Sequence, residues 1–123
     1  MIRSLRIPVS FNPEVYCRGR ELGDAQAQRI SFAASASEHL CALQLGFNKI
    51  GDAGAAGLAE GLRPNTMLRL LVLCYNDIGD AGAAALAESL KVNTTVTCID
   101  LRSNHVSEEA KAALRSLGPR VLL

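Results

Sequence analysis

The sequence predicts an α/β solenoid, in which one strand–helix unit is copied along the chain and stacked on itself. Three observations predict it. Asn48, Asn76 and Asn104 stand 28 residues apart. Within each such unit the apolar residues first alternate and then recur at helical spacing. The phrase "GDAGAAGLAEGL" at 51–62 returns as "GDAGAAALAESL" at 79–90. A period of this length is the signature of repeat architectures.

Composition sets the frame. A chain of 123 residues fits one domain. Aromatics are 4% and Trp is absent, so the core must come from Leu, Ile, Val and Ala. A formal net charge of +1 gives no general reason to expect nucleic acid or an anionic membrane as partner. Apolar runs are too short to span a bilayer. The opening "MIRSLRIPVSFNPEVYCRGRE" lacks the apolar core of a secretory signal. Arg3, Arg6, Arg18 and Arg20 suit a mitochondrial transit peptide, whereas Glu14 and Glu21 oppose one. Four cysteines without a C-x-x-C pair read as reduced thiols rather than a zinc site. An intracellular, cytoplasmic setting is therefore expected, with organelle targeting left open. In that setting the Asn93-Thr94-Thr95 sequon has no consequence.

The elements follow in chain order. Residues 1–14 read as a degenerate N-terminal cap or the remnant of a preceding repeat. Ile2 falls in the helix register of Ile30, Leu58 and Leu86, and Pro8 and Pro13 place a loop before a strand at Val15. The solenoid proper runs over 15–123. Its first repeat, 15–42, is worn: Val15, Cys17, Leu22, Gly23, Asp24 and Ile30 keep the pattern, but Arg20 replaces the asparagine.

Repeats 43–70 and 71–98 are the clearest. "LQL" and "LVL" alternate as a strand with one buried face does. Asn48 and Asn76 can turn their amides inward to bond backbone groups that the sheet leaves unpaired. Gly51, Gly79 and Ser107 share one place and read as helix N-caps. Asp52, Asp80 and Glu108 then fall in the first helical turn, where the dipole favours negative charge. Gly54 and Gly82 are small, which is expected to let the helix lie close to the strand. Ala55, Leu58, Ala59 and Leu62 form a helical apolar stripe. The partial repeat 99–123 repeats the scheme. Gly118-Pro119 should stop its helix after Leu117, and "RVLL" can add one more short strand.

Such a unit must stack. Each repeat offers a handful of large aliphatic side chains, worth roughly 1.5–3 kcal/mol apiece when fully buried. Ordering its backbone costs roughly 1–2 kcal/mol per residue. An isolated repeat cannot bury even its own leucines, so stability belongs to the array.

"LCALQLGFNKI", "LRLLVLCYNDI" and "VTCIDLRSNHV" each fit L-x-x-L-x-L-x-x-N-x-L with aliphatic substitutions. This pattern resembles the leucine-rich repeat family. The 28-residue period and the "GDAGAAGLAEGL" segment are similar to its ribonuclease-inhibitor-like subclass. The wording from Gly79 to Asn104 also looks like the sensor ends of NOD-like receptors. The resemblance implies a right-handed horseshoe, with a parallel sheet on the concave face and helices on the convex face. It also implies protein binding without catalysis.

The glycines of "GDAG" raise the question of a phosphate-cradling loop. Such a loop serves one site and should occur once, but "GDAG" occurs twice, between a "GDAQ" and a "SEEA". The structural reading is preferred. His39 precedes a strand and His105 adjoins Asn104, and neither has a Cys, Asp or Glu partner at ligand spacing. G-x-S-x-G, H-E-x-x-H and P-loop motifs are absent. No catalytic residue, metal site or cofactor is expected.

The concave face carries the functional expectation. The partner-binding candidates by register are Tyr16 and Arg18, then Gln44 and Phe47. Val72, Cys74 and Tyr75 follow on the next coil, then Asp100 and Arg102. An apolar middle with a charged rim is a common interface design, and aromatic and Arg residues are its usual hot spots. Phe47 and Tyr75 have an alternative, tucking into the strand-to-turn corner as part of the core. The expected function is a non-catalytic protein-interaction or scaffold module with a partner protein of unknown identity. The alternative is a structural subunit packed inside a large assembly or against a second copy, since neither end reads as a polar cap. A GTPase regulator, by likeness to Ran GTPase-activating proteins, would have only Arg18 and Arg102 to offer from this face.

Overall fold

The computed structural model describes residues 14–37 and 39–123, with Glu14–Tyr16 described by their backbone alone. The expectations for Ile2, Pro8 and Pro13 lie outside the described residues. Strands and helices alternate: β1 (Glu14–Tyr16), α1 (Asp24–Ser35), β2 (Ala42–Gln44), α2 (Asp52–Leu62), β3 (Leu70–Val72), α3 (Asp80–Val92), β4 (Cys98–Asp100), α4 (Glu108–Arg115) and β5 (Val121–Leu122). The strands form one parallel sheet in the order β1-β2-β3-β4-β5. Glu14 pairs with Ala42, Ala42 with Leu70, and Leu70 with Cys98, so each coil advances by the sequence period. The sheet lines the concave side of a short solenoid and the helices its convex side. β5 extends the sheet, as "RVLL" allows. α4 ends at Arg115, two residues before the expected stop at Leu117.

The core is the stack of repeated aliphatic places. Leu43, Leu71 and Ile99 are buried in one column, Leu45, Leu73 and Leu101 in the next, and Leu58, Leu86 and Leu114 come from the helices. Between the sheet and the helices runs the asparagine ladder. Asn76 accepts the Ile50 N–H at 2.9 Å and donates to the carbonyls of Leu45, Leu73 and Cys74 at 2.9, 3.1 and 3.2 Å. Asn48 and Asn104 bond the equivalent groups of their own coil and of the coil before: Asn48 those of Leu22, Cys17 and Leu45, Asn104 those of Ile78, Leu73 and Leu101. Each amide thus satisfies its own turn and the turn before it, where no sheet partner exists.

The capping pattern corrects the local reading of "GDAG". The N-caps are Gly51, Gly79 and Ser107 as expected, but the first two have no side chain to cap with. The aspartate of the preceding helix does it instead. Asp24 Oδ1 accepts the N–H groups of Gly51 and Gly54 at 2.7 and 2.9 Å, and Asp52 Oδ1 does the same for Gly79 and Gly82. Asp80 accepts both the N–H and the hydroxyl of Ser107 at 2.7 Å. Gly54 and Gly82 therefore answer to this carboxylate rather than to the strand. A Cβ on Gly54 would stand 2.6 Å from Asp24 Oδ1 and 2.8 Å from Ile50 Cγ2. Farther along α2, Gly57 and Gly61 press directly on Gln28 and Ser31 of α1.

A second ladder joins the helix ends to the strands. Asn65 accepts the N–H groups of Met67 and Leu68, and Asn93 those of Thr95 and Val96. Asn93 also donates to the carbonyls of Leu62 and Asn65 in the coil before. Ser37 plays the acceptor part in the first coil. In the last coil the guanidinium of Arg120 donates to the carbonyls of Leu90 and Asn93 at 2.7 and 2.9 Å. Among the described residues, no helix is long and apolar enough to cross a membrane.

Candidate functional site

Each of β1 to β4 runs into a turn whose third residue past the strand has a positive φ: 67° at Gly19, 60° at Phe47, 55° at Tyr75 and 61° at Ser103. Only glycine takes this conformation freely, and a left-handed L-residue is disfavoured by roughly 1–2 kcal/mol. Here it turns the side chain out of the corner. Phe47 is 41% exposed and Tyr75 54%, so these two rings are surface rather than core.

Because the coils keep register, the outward side chains stack. The Phe47 and Tyr75 rings lie 4.4 Å apart between centroids and 14° from parallel. The guanidinium carbon of Arg18 lies 4.2 Å from the Phe47 centroid. The order of coils puts Arg18 and Tyr75 on opposite faces of Phe47. Three side chains from three coils thus form one ridge, joined by cation–π and aromatic contacts.

Beside the ridge the surface is less exposed. Gln44, Val72 and Cys74 are half-buried. Gly46 leaves room for the Cys74 thiol, since a Cβ there would approach Sγ to 3.0 Å. Burial pushes the Cys74 and Cys98 thiols up from their ordinary range, and the Asp100 carboxylate adds to the rise while Arg102 opposes it. Cys17 is likewise raised by burial, against a smaller opposing effect of Arg20. Cys17, Cys41, Cys74 and Cys98 are all free thiols.

Asp100 and Arg102 form a closed pair. Arg102 Nε donates to Oδ1 at 2.9 Å, Nη2 to Oδ2 at 2.8 Å, and the Arg102 N–H to Oδ1 at 3.1 Å. Asp100 is only 6% exposed. Burial pushes its carboxyl up, but the bonds and charge of Arg102 together hold it below the usual carboxylate value. The carboxylate is engaged within the fold, while the guanidinium stays exposed.

The structure thus brings Arg18, Phe47 and Tyr75 together, with Gln44, Val72 and Cys74 beside them, and places Asp100 and Arg102 on the next coil. The side chain of Tyr16 lies outside the described residues. Along the neighbouring row of turns, Glu21 pairs with Lys49 at 3.6 Å and Asp77 with His105 at 3.3 Å. His105 thus has an acidic partner one coil back, an exposed pair rather than a ligand set. A separation of 28 residues is the signal that identifies such partners. No cluster of His, Cys, Asp and Glu suited to a metal ion occurs among the described residues. What the site supplies is a preorganised surface of exposed aromatics between two arginines.

A family model described as Leucine Rich repeat matches residues 36–59, 65–87 and 92–110, more than half of the chain. No curated protein matches it. Among solved structures, the chain is similar to "Leiomodin-1 Actin-Binding Site 2 (ABS2)", with a TM-score of 0.80 and 20% identity. The match covers 85% of this chain and 62% of that one, so the chain spans less than two thirds of its neighbour. At this identity the likeness is one of fold.

Proposed function

We propose that this chain, which belongs to the leucine-rich repeat family, is a non-catalytic interaction or scaffold module that holds a partner protein on its concave face. The observation that carries the reading is the ridge of Arg18, Phe47 and Tyr75. Two aromatic rings stand exposed on a backbone conformation that disfavours them, and each packs against its neighbour in the ridge. Packed aromatic and arginine side chains lose little entropy on binding and dominate interface energetics. The similar solved structure is named as an actin-binding site, which supports reading this architecture as a surface for proteins. A 28-residue coil with a full helix of 11 to 13 residues in its central repeats supports the ribonuclease-inhibitor-like subclass.

The test is affinity capture from the native source with the wild-type chain and with F47A/Y75A, both checked for folding by circular dichroism. The double variant is expected to lose the proteins that the wild type retains. An unchanged set on a folded variant contradicts the concave-face reading.

One observation favours the second reading, a structural subunit of an assembly. Phe32 on α1 is 76% exposed and Val92 at the end of α3 is 56% exposed, both on the helical side. Capture lost on F32E but kept on F47A/Y75A would favour that reading.

A further inference from the structure

The ridge is a stack with a missing layer. Arg18, Phe47 and Tyr75 occupy successive coils, and the equivalent place on the next coil belongs to Ser103. Ser103 has the same backbone conformation, with φ 61°, but a side chain too short to lie on a ring. Among the described ring contacts Tyr75 stacks on Phe47 alone, and it remains 54% exposed, with Ser103 at the same place one coil on. A π-face ending a stack accepts a further planar group.

Charge narrows the occupant. Asp100 is the one carboxylate among the described side chains of this face, and Arg102 and burial have already taken it up. Arg18 is exposed and forms no ion pair among the described residues, so its N–H groups remain available to a carboxylate. Stacked rings also turn their electropositive edges to solvent. The complement is acidic. The chain as a whole carries only +1, too little for the sustained phosphate contacts of a nucleic acid.

We propose that the ridge takes an extended segment of a partner protein that places an aromatic side chain on the exposed Tyr75 ring, at the place of Ser103, and a carboxylate against Arg18. The proposal rests on the concave-face reading and specifies its ligand. Arg18 and Ser103 are three coils apart, about 14 Å at roughly 4.8 Å per strand. An extended segment rises about 3.3 Å per residue, so its acidic and aromatic residues stand about four positions apart.

The probe is a series of twelve-residue Gly/Ser peptides, each carrying one Glu and one Trp at separations of one to seven. The chain contains no Trp, so peptide fluorescence reports binding without background. Affinity is expected to peak at a separation of about four, to fall at least tenfold on S103Y, and to fall severalfold on R18Q. S103Y supplies the missing layer from within, at a backbone conformation that Phe47 and Tyr75 already accept, so it fills the place without unfolding the chain. Absent binding, affinity independent of separation, or undiminished binding to S103Y overturns the proposal. A single-stranded oligonucleotide that binds more tightly than every peptide also overturns it. If the peptides fail while F47A/Y75A still abolishes partner capture, this ligand assignment falls alone and the concave-face reading stands.

Discussion

Asp52 caps the helix that begins at Gly79, in the next coil: its Oδ1 accepts the Gly79 N–H at 2.7 Å and the Gly82 N–H at 2.9 Å. A helix N-terminus normally takes its cap from its own flanking residue. Here the cap comes from the coil before, so it joins two repeats as well as closing a helix. The same relationship links Asp24 to Gly51 and Asp80 to Ser107. D52A should therefore destabilise the array by about 1–2 kcal/mol in urea denaturation, the usual worth of a lost cap. G82A should also destabilise it, although alanine is the better helix former. Its Cβ would stand 2.8 Å from Asp52 Oδ1 and 2.9 Å from Ala55 Cβ.

Asn76 is buried and makes four bonds to backbone groups of two coils. N76A leaves those groups without a partner, and each buried unsatisfied group costs about 1–3 kcal/mol. The expected loss is about 3 kcal/mol or more. N104A should cost less, because Asn104 is half-exposed and water can replace it. Equal losses for the two variants in chemical denaturation would contradict this.

The Asp100 carboxyl lies below its ordinary value in the folded chain: burial raises it, and Arg102 more than offsets the rise. A depressed folded value stabilises the fold above the unfolded value of about 3.9, and that stability is lost as pH falls through the folded value. Asp80, bonded to Ser107, acts in the same direction. Stability should therefore decline below about pH 4. D100N should flatten the decline without removing the part due to Asp80, as read from urea midpoints at several pH values.

Arg120 takes the carbonyls of Leu90 and Asn93, while its own carbonyl and that of Leu122 accept the N–H groups of Ile99 and Leu101. R120A should release β5 before the rest of the sheet. Hydrogen exchange should quicken at Ile99 and Leu101 and stay unchanged at Leu43 and Leu45, two coils away.

Much of the fold is legible in the sequence because a repeat states its rule more than once. The columns of Leu43, Leu71 and Ile99 and the ladder of Asn48, Asn76 and Asn104 follow directly from spacing. Relationships between coils are harder to read. Spacing places Asp52 correctly in a first helical turn, yet its bonding partners lie 27 and 30 residues on, so a reading confined to one helix assigns it to its own dipole. Asn65 and Asn93 stand one period apart and obey the same rule, but their place between helix and strand carries no motif to single them out. Register puts Phe47 and Tyr75 on the concave face, but spacing alone does not choose between exposure and the core corner. Their exposure depends on a positive φ, and the residue type at those places argues against one.

The most direct test of the central claim is a hydrogen-exchange footprint of the chain bound to a protein it captures. The account predicts slowed exchange in the turns that carry Arg18, Phe47, Tyr75 and Arg102, with α2 and α3 unaffected. Protection confined to the helices, with those turns exchanging as in the free chain, would contradict it.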